Sequence, residues 1–321
     1  RAGKELLLKQ VVGFQIAARV LQDAPGTSLV GVVARQVIEH DGYRCVRDAP
    51  VMGPHEGEDL GRLSAVLRQF PRRAGVLKED GQHGAMSVTK SFIGTLGAML
   101  VAEGTLDAEK YVAEYVPELA NSAFGDATVR QVLDMTTALK FSENYADPTA
   151  DIWAHARAGN PLPKPKDYTG PRSYFEFLQT VEKQGEHGDA FGYKTANTDA
   201  LGWIISRVTG QSVAELLSER IWRRIGAEQD AYFSVDSIGT PFAGGGLNTG
   251  LRDLARFGEM IRNGGTFNGQ QIVPKAAIDD IRRGGDPAVF AKAGYKLLSG
   301  WSYRNMWWIT HNAHGAFAAR G

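Results

Sequence analysis

Apolar positions follow two rhythms along this chain. From Ser87 onward, Val88, Phe92, Ile93, Leu96, Leu100 and Val101 recur at three- and four-residue steps, the spacing of one helix face. Gly104 is placed to stop that helix, with "GTLD" as its exit turn. "DATVRQVLDMTTAL" predicts a second helix, capped by Asp126 or Thr128. "NTDALGWIISRVTG" and "SVAELLSERIWRRIG" predict two more, and "GGGLNTGLRDLARFGEMIRNGG" a Gly-rich turn and a capped helix ending at Gly264–Gly265. Strand signals collect at the two ends. "TSLVGVVARQVI" is apolar and β-branched, "RAGVLKEDGQ" reads as a strand and turn, and the aromatic tail "GWSYRNMWWITHNAHGAFAARG" reads as a hairpin turning at "HNAHG". The opening segment "RAGKELLLKQVVGFQIAARVLQ" is expected to form an amphipathic helix, and "GRLSAVLRQF" a short one. Between Lys140 and Tyr174 no period is clear, which predicts a long excursion with a short helix inside it; such loops are often functional.

This distribution predicts an α+β fold. An antiparallel sheet flanked by helices is built from both ends of the chain, residues 1–105 with 235–321, and a mainly helical region, 106–234, is inserted between them. No internal repeat or low-complexity tract is present.

Composition narrows the function. The 321 residues are 43% hydrophobic, enough to bury a sizeable core. Lys plus Arg and Asp plus Glu both number 36, so no basic field recruits nucleic acid or an anionic membrane. The one cysteine, Cys45, excludes an intrachain disulfide and a Cys-based zinc site. No segment approaches the roughly 18 uninterrupted apolar residues of a membrane span. The given chain carries no signal peptide, although a leader could precede Arg1, and the compartment is left between cytoplasm and periplasm.

Ser87 and Lys90 stand three residues apart at a predicted helix start, which puts them on one face. A serine hydroxyl needs a base to become nucleophilic. Lysine serves as that base when burial disfavours its ammonium form, and the first N–H groups of the helix can hold a developing oxyanion. Alone, the motif arises by chance in chains of this length, and a capping serine beside a surface lysine is the competing reading.

The wider sequence resembles the serine β-lactamase and penicillin-binding protein superfamily, in its class C-like branch, with 6-aminohexanoate-dimer (nylon-oligomer) hydrolases the nearest in appearance. The resemblance rests on "MSVTKSFIGTLGAMLVAEGTLD", "FSENYADPTADIW", "FGYKTANTDALGWIISRVTG", "GGGLNTGLRDLARFGEMI" with "NGQQIVP", and the aromatic tail. It runs from about Gly75 to Gly321, with no matching block in residues 1–60. It implies a β-lactamase/transpeptidase-like fold and an acyl-enzyme mechanism with Ser87 as nucleophile, Lys90 as base and Tyr193 as proton shuttle; a phenol needs a nearby cation for that role, which Lys90 could supply. It aligns Tyr145 with a loop tyrosine that contacts the substrate amide. Ala319-Arg320-Gly321 stands where β-lactamases carry Lys-Thr-Gly, so Gly321 borders the oxyanion site. The absent lysine argues against a dedicated β-lactamase. By the same resemblance the second oxyanion donor would be the residue after Gly321, and that residue, the family's last strands and its closing helix are expected to be missing from the given chain.

The resemblance implies hydrolysis of a carboxylic ester or small linear amide, with no cofactor and no metal, and is compatible with a homodimer. The alternatives are a penicillin-recognising domain that acylates without turnover and an inactive truncated fragment. Of the remaining features, Asp147 and Asp151 read as solvated or capping residues, one of which could meet a substrate amine. Trp153 and Trp203 read as core, Lys194 as pointing away from the site, and His83 as a polar turn residue. His311 and His314 lack the third ligand and outer shell of a zinc site. "GGGLNTG" lacks the lysine of a phosphate loop, and no G-x-S-x-G elbow is present.

Overall fold

The computed structural model describes residues 81–321 and, before them, the backbone of strands 12–22, 28–40 and 43–47. Its main sheet joins the two ends of the chain. Strands β1 (Val12–Gln22), β2 (Ser28–His40) and β3 (Tyr43–Arg47) come from the N-terminal part. Shorter strands follow: β4 (Gln82–Gly84), β5 (Tyr232–Phe233), β6 (Leu247–Gly250), β7 (Thr266–Phe267) and β8 (Gln270–Gln271). The tail contributes β9 (Ser302–Arg304), β10 (Trp307–Ile309) and β11 (Phe317–Arg320). The six-stranded sheet has the order β3-β2-β1-β11-β10-β9, with every pairing antiparallel. β1 meets β11 with Gln15 opposite Arg320 and Ala18 opposite Phe317. A smaller sheet, β4-β6-β5, leads into the Ser87 turn.

The expected N-terminal helix is corrected over its second half, which is β1. Val12, Phe14, Ile16, Ala18 and Val20 alternate with their neighbours at period two, and long-range pairing with β2 and β11 satisfies the backbone of this segment. The helix expected at "GRLSAVLRQF" lies outside the described residues. The tail holds three strands rather than an interrupted hairpin. Asn305 and Met306 turn β9 into β10 with φ of 48° and 63°, the left-handed pair that a two-residue hairpin turn needs.

The helices are α1 (Val88–Ala102), α2 (Val112–Tyr115), α3 (Val129–Leu133), α4 (Asp151–Ala158), α5 (Tyr174–Gln179), α6 (Thr195–Thr209), α7 (Val213–Leu217), α8 (Leu251–Arg262), α9 (Lys275–Arg283) and α10 (Pro287–Ala291). Thr128, not Asp126, caps α3, accepting from the Gln131 N–H; Asp126 instead pairs with Lys183 and His187. No side chain caps α8, whose N-cap is Gly250. No helix among the described residues is long and apolar enough to cross a membrane.

Helix α1 is the centre of the molecule. Every residue from Val88 to Leu100 is buried, because α6 covers one side and the tail strands another. Phe92 stacks on Phe257 at 3.7 Å, and Trp307 donates to Thr95 Oγ1 at 3.1 Å. The β9–β10 turn seats directly on α1, with Ser91 Oγ donating to the Met306 carbonyl at 2.8 Å. From the other side, Arg304 Nη1 and the Asn305 N–H donate to buried Asp134 at 2.7 and 3.0 Å. Gly94 allows this seating: a Cβ there would lie 2.1 Å from the Asn305 carbonyl oxygen. Gly94→Ala therefore forces backbone apart rather than a flexible side chain. Its expected cost is at least about 1–3 kcal/mol, read as a lowered thermal midpoint.

Candidate active site

The Ser87 turn leaves its hydroxyl uncommitted to the backbone. β4 delivers the chain to Ala85, whose N–H donates to the Leu247 carbonyl at 2.8 Å. Met86 then turns with φ 46°, a left-handed conformation uncommon for a non-glycine residue, so some backbone strain sits next to the serine. Ser87 is the N-cap residue of α1, yet its φ of −69° and ψ of −7° are helical and its side chain makes no capping bond. The first turn closes instead through tight backbone bonds, including Val88 N–H to Ala85 carbonyl at 3.1 Å and Lys90 N–H to Ser87 carbonyl at 3.1 Å. Among the described residues no acceptor pairs with the Ser87 N–H.

Lys90 is 1% exposed, which removes the surface-lysine reading. Its Nζ donates to Ser87 Oγ at 2.9 Å and to the Gly244 carbonyl at 2.5 Å. Burial pulls the amine below the ordinary lysine range, and the carboxylates of Glu143 and Asp199 offset part of that.

Tyr193 lies against the same pair. Its ring centroid is 5.1 Å from Lys90 Nζ, and its phenol lies close enough to the Ser87 hydroxyl for that group to bear on its titration. Trp308 at 5.3 Å and Tyr303 at 6.3 Å wall the ring. The expectation that a lysine cation would activate the phenol is corrected. Burial pushes Tyr193 well above its usual range, the nearby Ser87 hydroxyl pulls back, Glu143 adds to the rise and Arg320 opposes it. The site thus pairs an amine biased toward its neutral form with a phenol biased toward keeping its proton.

The last strand closes the site. A Cβ on Gly321 would stand 2.6 Å from Val88 N and 2.9 Å from Ser87 N, so only glycine fits against the helix start. Ala319 is fully buried, and Arg320, whose guanidinium lies 4.8 Å from the Trp308 ring, is a further positive charge bearing on Tyr193.

The structure brings Ser87, Lys90, Tyr193 and Gly321 together and places Tyr145 at the rim. Tyr145 is 59% exposed, packs edge-on against Trp153 and donates to Glu143 Oε1 at 2.7 Å. Asp147 and Asp151 are spent on local structure, accepting from Thr149 and from Ser142. Trp203 stacks on Phe175 in the core, Lys194 donates to the Leu139 carbonyl away from the site, and His311 hydrogen-bonds Ser302. His83 is a strand residue in β4, opposite Thr249, rather than a turn residue.

Three parts of the site escaped sequence reading. Glu143 accepts from the Thr195 N–H and hydroxyl, both at 2.7 Å, and so anchors the Tyr145 loop to the start of α6; nothing local in "FSENYADPTAD" distinguishes it from Asp147 and Asp151. Gly244 belongs to the "GGGLNTG" stretch set aside as a failed phosphate loop. The buried pair His155 and Asp199 lies behind it, joined at 2.7 Å. A separate cavity of about 320 Å³, lined by Tyr174, Trp203, Gln211 and Ile238 among others, has none of Ser87, Lys90 or Tyr193 in its walls.

Known proteins similar to this chain point to its family. A 6-aminohexanoate-dimer hydrolase of Paenarthrobacter ureafaciens is 38% identical over 262 residues, covering 81% of this chain. The chain spans 65% of that relative's length. A Bacillus anthracis structure provisionally named as a 6-aminohexanoate-dimer hydrolase superposes with a TM-score of 0.67 at 28% identity, over 97% of this chain and 73% of its own. A D-stereospecific amidohydrolase from a Streptomyces species shares the fold, with a TM-score of 0.55 at 16% identity over 96% and 88% of the two chains. The Beta-lactamase family profile matches residues 16–320, so the likeness extends through β1 and β2, well before the Gly75 boundary expected from the motifs. A profile match over nearly the whole chain, a relative at 38% identity and a serine–lysine pair at a buried helix start place this chain in the β-lactamase family.

Proposed function

We propose that this protein is a serine hydrolase that cleaves carboxylic esters or small linear amides through an acyl-enzyme on Ser87. The observation that carries the reading is the bond from buried Lys90 Nζ to Ser87 Oγ at 2.9 Å, beside a Ser87 N–H with no acceptor among the described residues. Neutral Lys90 takes the Ser87 proton as the oxygen attacks the carbonyl carbon. The oxyanion rests on the Ser87 N–H. Tyr193, still protonated, passes a proton to the departing oxygen or nitrogen and recovers one from Lys90. Water then attacks the acyl-enzyme by the same transfers in reverse. Tyr145 and Glu143 at the rim are available to the substrate amide, and Arg320 offers a cation to an anionic substrate. The names of the relatives support amide and ester bonds as the class, and the 6-aminohexanoate-dimer hydrolase likeness supports a small linear amide in particular.

A fluorophosphonate probe and p-nitrophenyl acetate test the proposal in the intact protein. Labelling of Ser87 with steady ester turnover supports it. Labelling without turnover points to a penicillin-recognising domain, and no labelling of folded protein contradicts the mechanism. Tyr193→Phe keeps the ring against Trp308 and removes only the hydroxyl. It is expected to lower kcat at least about a hundredfold, the scale of a lost acid–base group, with the thermal midpoint unchanged.

A further inference from the structure

We infer that His155 and Asp199 are positioning residues for the reaction, a buried pair that clamps the Gly244 loop and thereby aims the Lys90 amine at Ser87. The inference rests on the Ser87–Lys90 reading above.

Asp199 lies in α6 one turn after Thr195 and is 4% exposed. One carboxylate oxygen accepts from the Gly244 N–H at 3.0 Å, and the other faces His155 Nε2 at 2.7 Å. His155, in α4, is 1% exposed and enclosed by Phe141, Tyr174, Phe177 and Phe242, with ring centroids 5.0 to 6.2 Å away. A carboxylate as little exposed as Asp199 is costly unless donors reach it, and the two here come from different parts of the chain.

The consequence is delivered through Gly244. Its N–H is fixed by Asp199, and its carbonyl holds Lys90 Nζ at 2.5 Å, with Ser87 Oγ 2.9 Å further along the same amine. The loop sits so tightly on α6 that a Cβ on Gly244 would lie 2.3 Å from Thr195 Cγ2 and 2.9 Å from the Phe242 ring. Histidine, aspartate, loop and lysine therefore form one hydrogen-bonded line from α4 to the nucleophile. Misplacement of a reacting group by about 1 Å is enough to cost about a hundredfold in rate. The charged groups bearing on Lys90 are Asp199 and Glu143, so removing the Asp199 charge also shifts the balance of the amine toward its neutral form.

The test compares Asp199→Asn, His155→Leu and His155→Gln in the intact protein. It reads kcat and KM for p-nitrophenyl acetate and the rate of fluorophosphonate labelling across pH. Asp199→Asn keeps an acceptor for Gly244 and removes the charge. It is expected to lower kcat about tenfold, leave KM within about twofold, and move the acid limb of labelling to lower pH. His155→Leu, which removes the donor, is expected to lower kcat similarly, and His155→Gln, which restores an N–H, to recover most of the loss. Wild-type kcat with an unmoved acid limb in Asp199→Asn overturns the inference, as does a loss confined to KM. Should His155→Leu fail to fold, Asp199→Asn decides alone. If the wild-type protein itself shows no acid limb, the Lys90 reading fails first. A wild-type limb that is present, with both limb and kcat left in place by Asp199→Asn, sinks only the positioning role.

Discussion

Ser87→Ala is expected to lower ester hydrolysis at least about a hundredfold, the scale of lost nucleophilic and acid–base chemistry, while leaving the thermal unfolding midpoint unchanged. The two halves of this expectation come from one observation. Ser87 sits where a capping serine would sit, and a cap deleted to alanine typically costs about 1 kcal/mol. Its side chain makes no capping bond, and α1 closes its first turn through the backbone. The hydroxyl is engaged by Lys90 and neighbours Tyr193, and both keep other contacts when it is gone: Lys90 to the Gly244 carbonyl, Tyr193 to the Trp308 ring. A clear drop in stability with little loss of rate would restore the capping role and remove the catalytic one.

Lys90→Met is expected to cause a loss of similar size and to erase the acid limb of the kcat/KM profile. In the wild type, burial lowers the lysine below its ordinary value of 10.5. The base works only when neutral, so the rate falls as pH drops through that lowered value and levels off above it. Tyr193, raised by burial, keeps its proton well into the alkaline range and sets no limb near neutrality. The same shift appears in stability. Between the folded-state pKa and the unfolded value the unfolded chain binds more protons at Lys90, so stability rises with pH across that window, and the slope disappears in Lys90→Met. A wild-type profile that is flat through this window, in both rate and stability, would mean that Lys90 is charged and not the base.

The parts of the site legible in the sequence are those that chemistry fixes locally. Ser87 and Lys90 are one helical turn apart, and their approach follows from helix geometry. Tyr193 was legible only through the block around it, because nothing local brings residue 193 beside residue 87. Glu143, His155, Asp199 and Gly244 were not legible for a related reason. Each acts through a partner tens of residues away, as in the bond from Gly244 to Asp199, and no short motif encodes such a pairing. Helices α1, α3 and α6 were readable because their apolar spacing and stop or cap signals agree, down to the Thr128 cap of α3 and the left-handed Gly210 that ends α6. β1 was misread because its charged flank and apolar run also suit a helix. Its identity is decided by pairing with β11, about three hundred residues later, which propensity does not register.

The most direct test of the central claim is rapid quenching of the intact protein with p-nitrophenyl acetate, followed by peptide mass mapping. The account predicts a burst of nitrophenol equal to one acyl group per active chain, with the acetyl mass found on the peptide carrying Ser87 and lost again as turnover proceeds. An acetyl group on any other residue, or hydrolysis with no trapped acyl group at all, would contradict it.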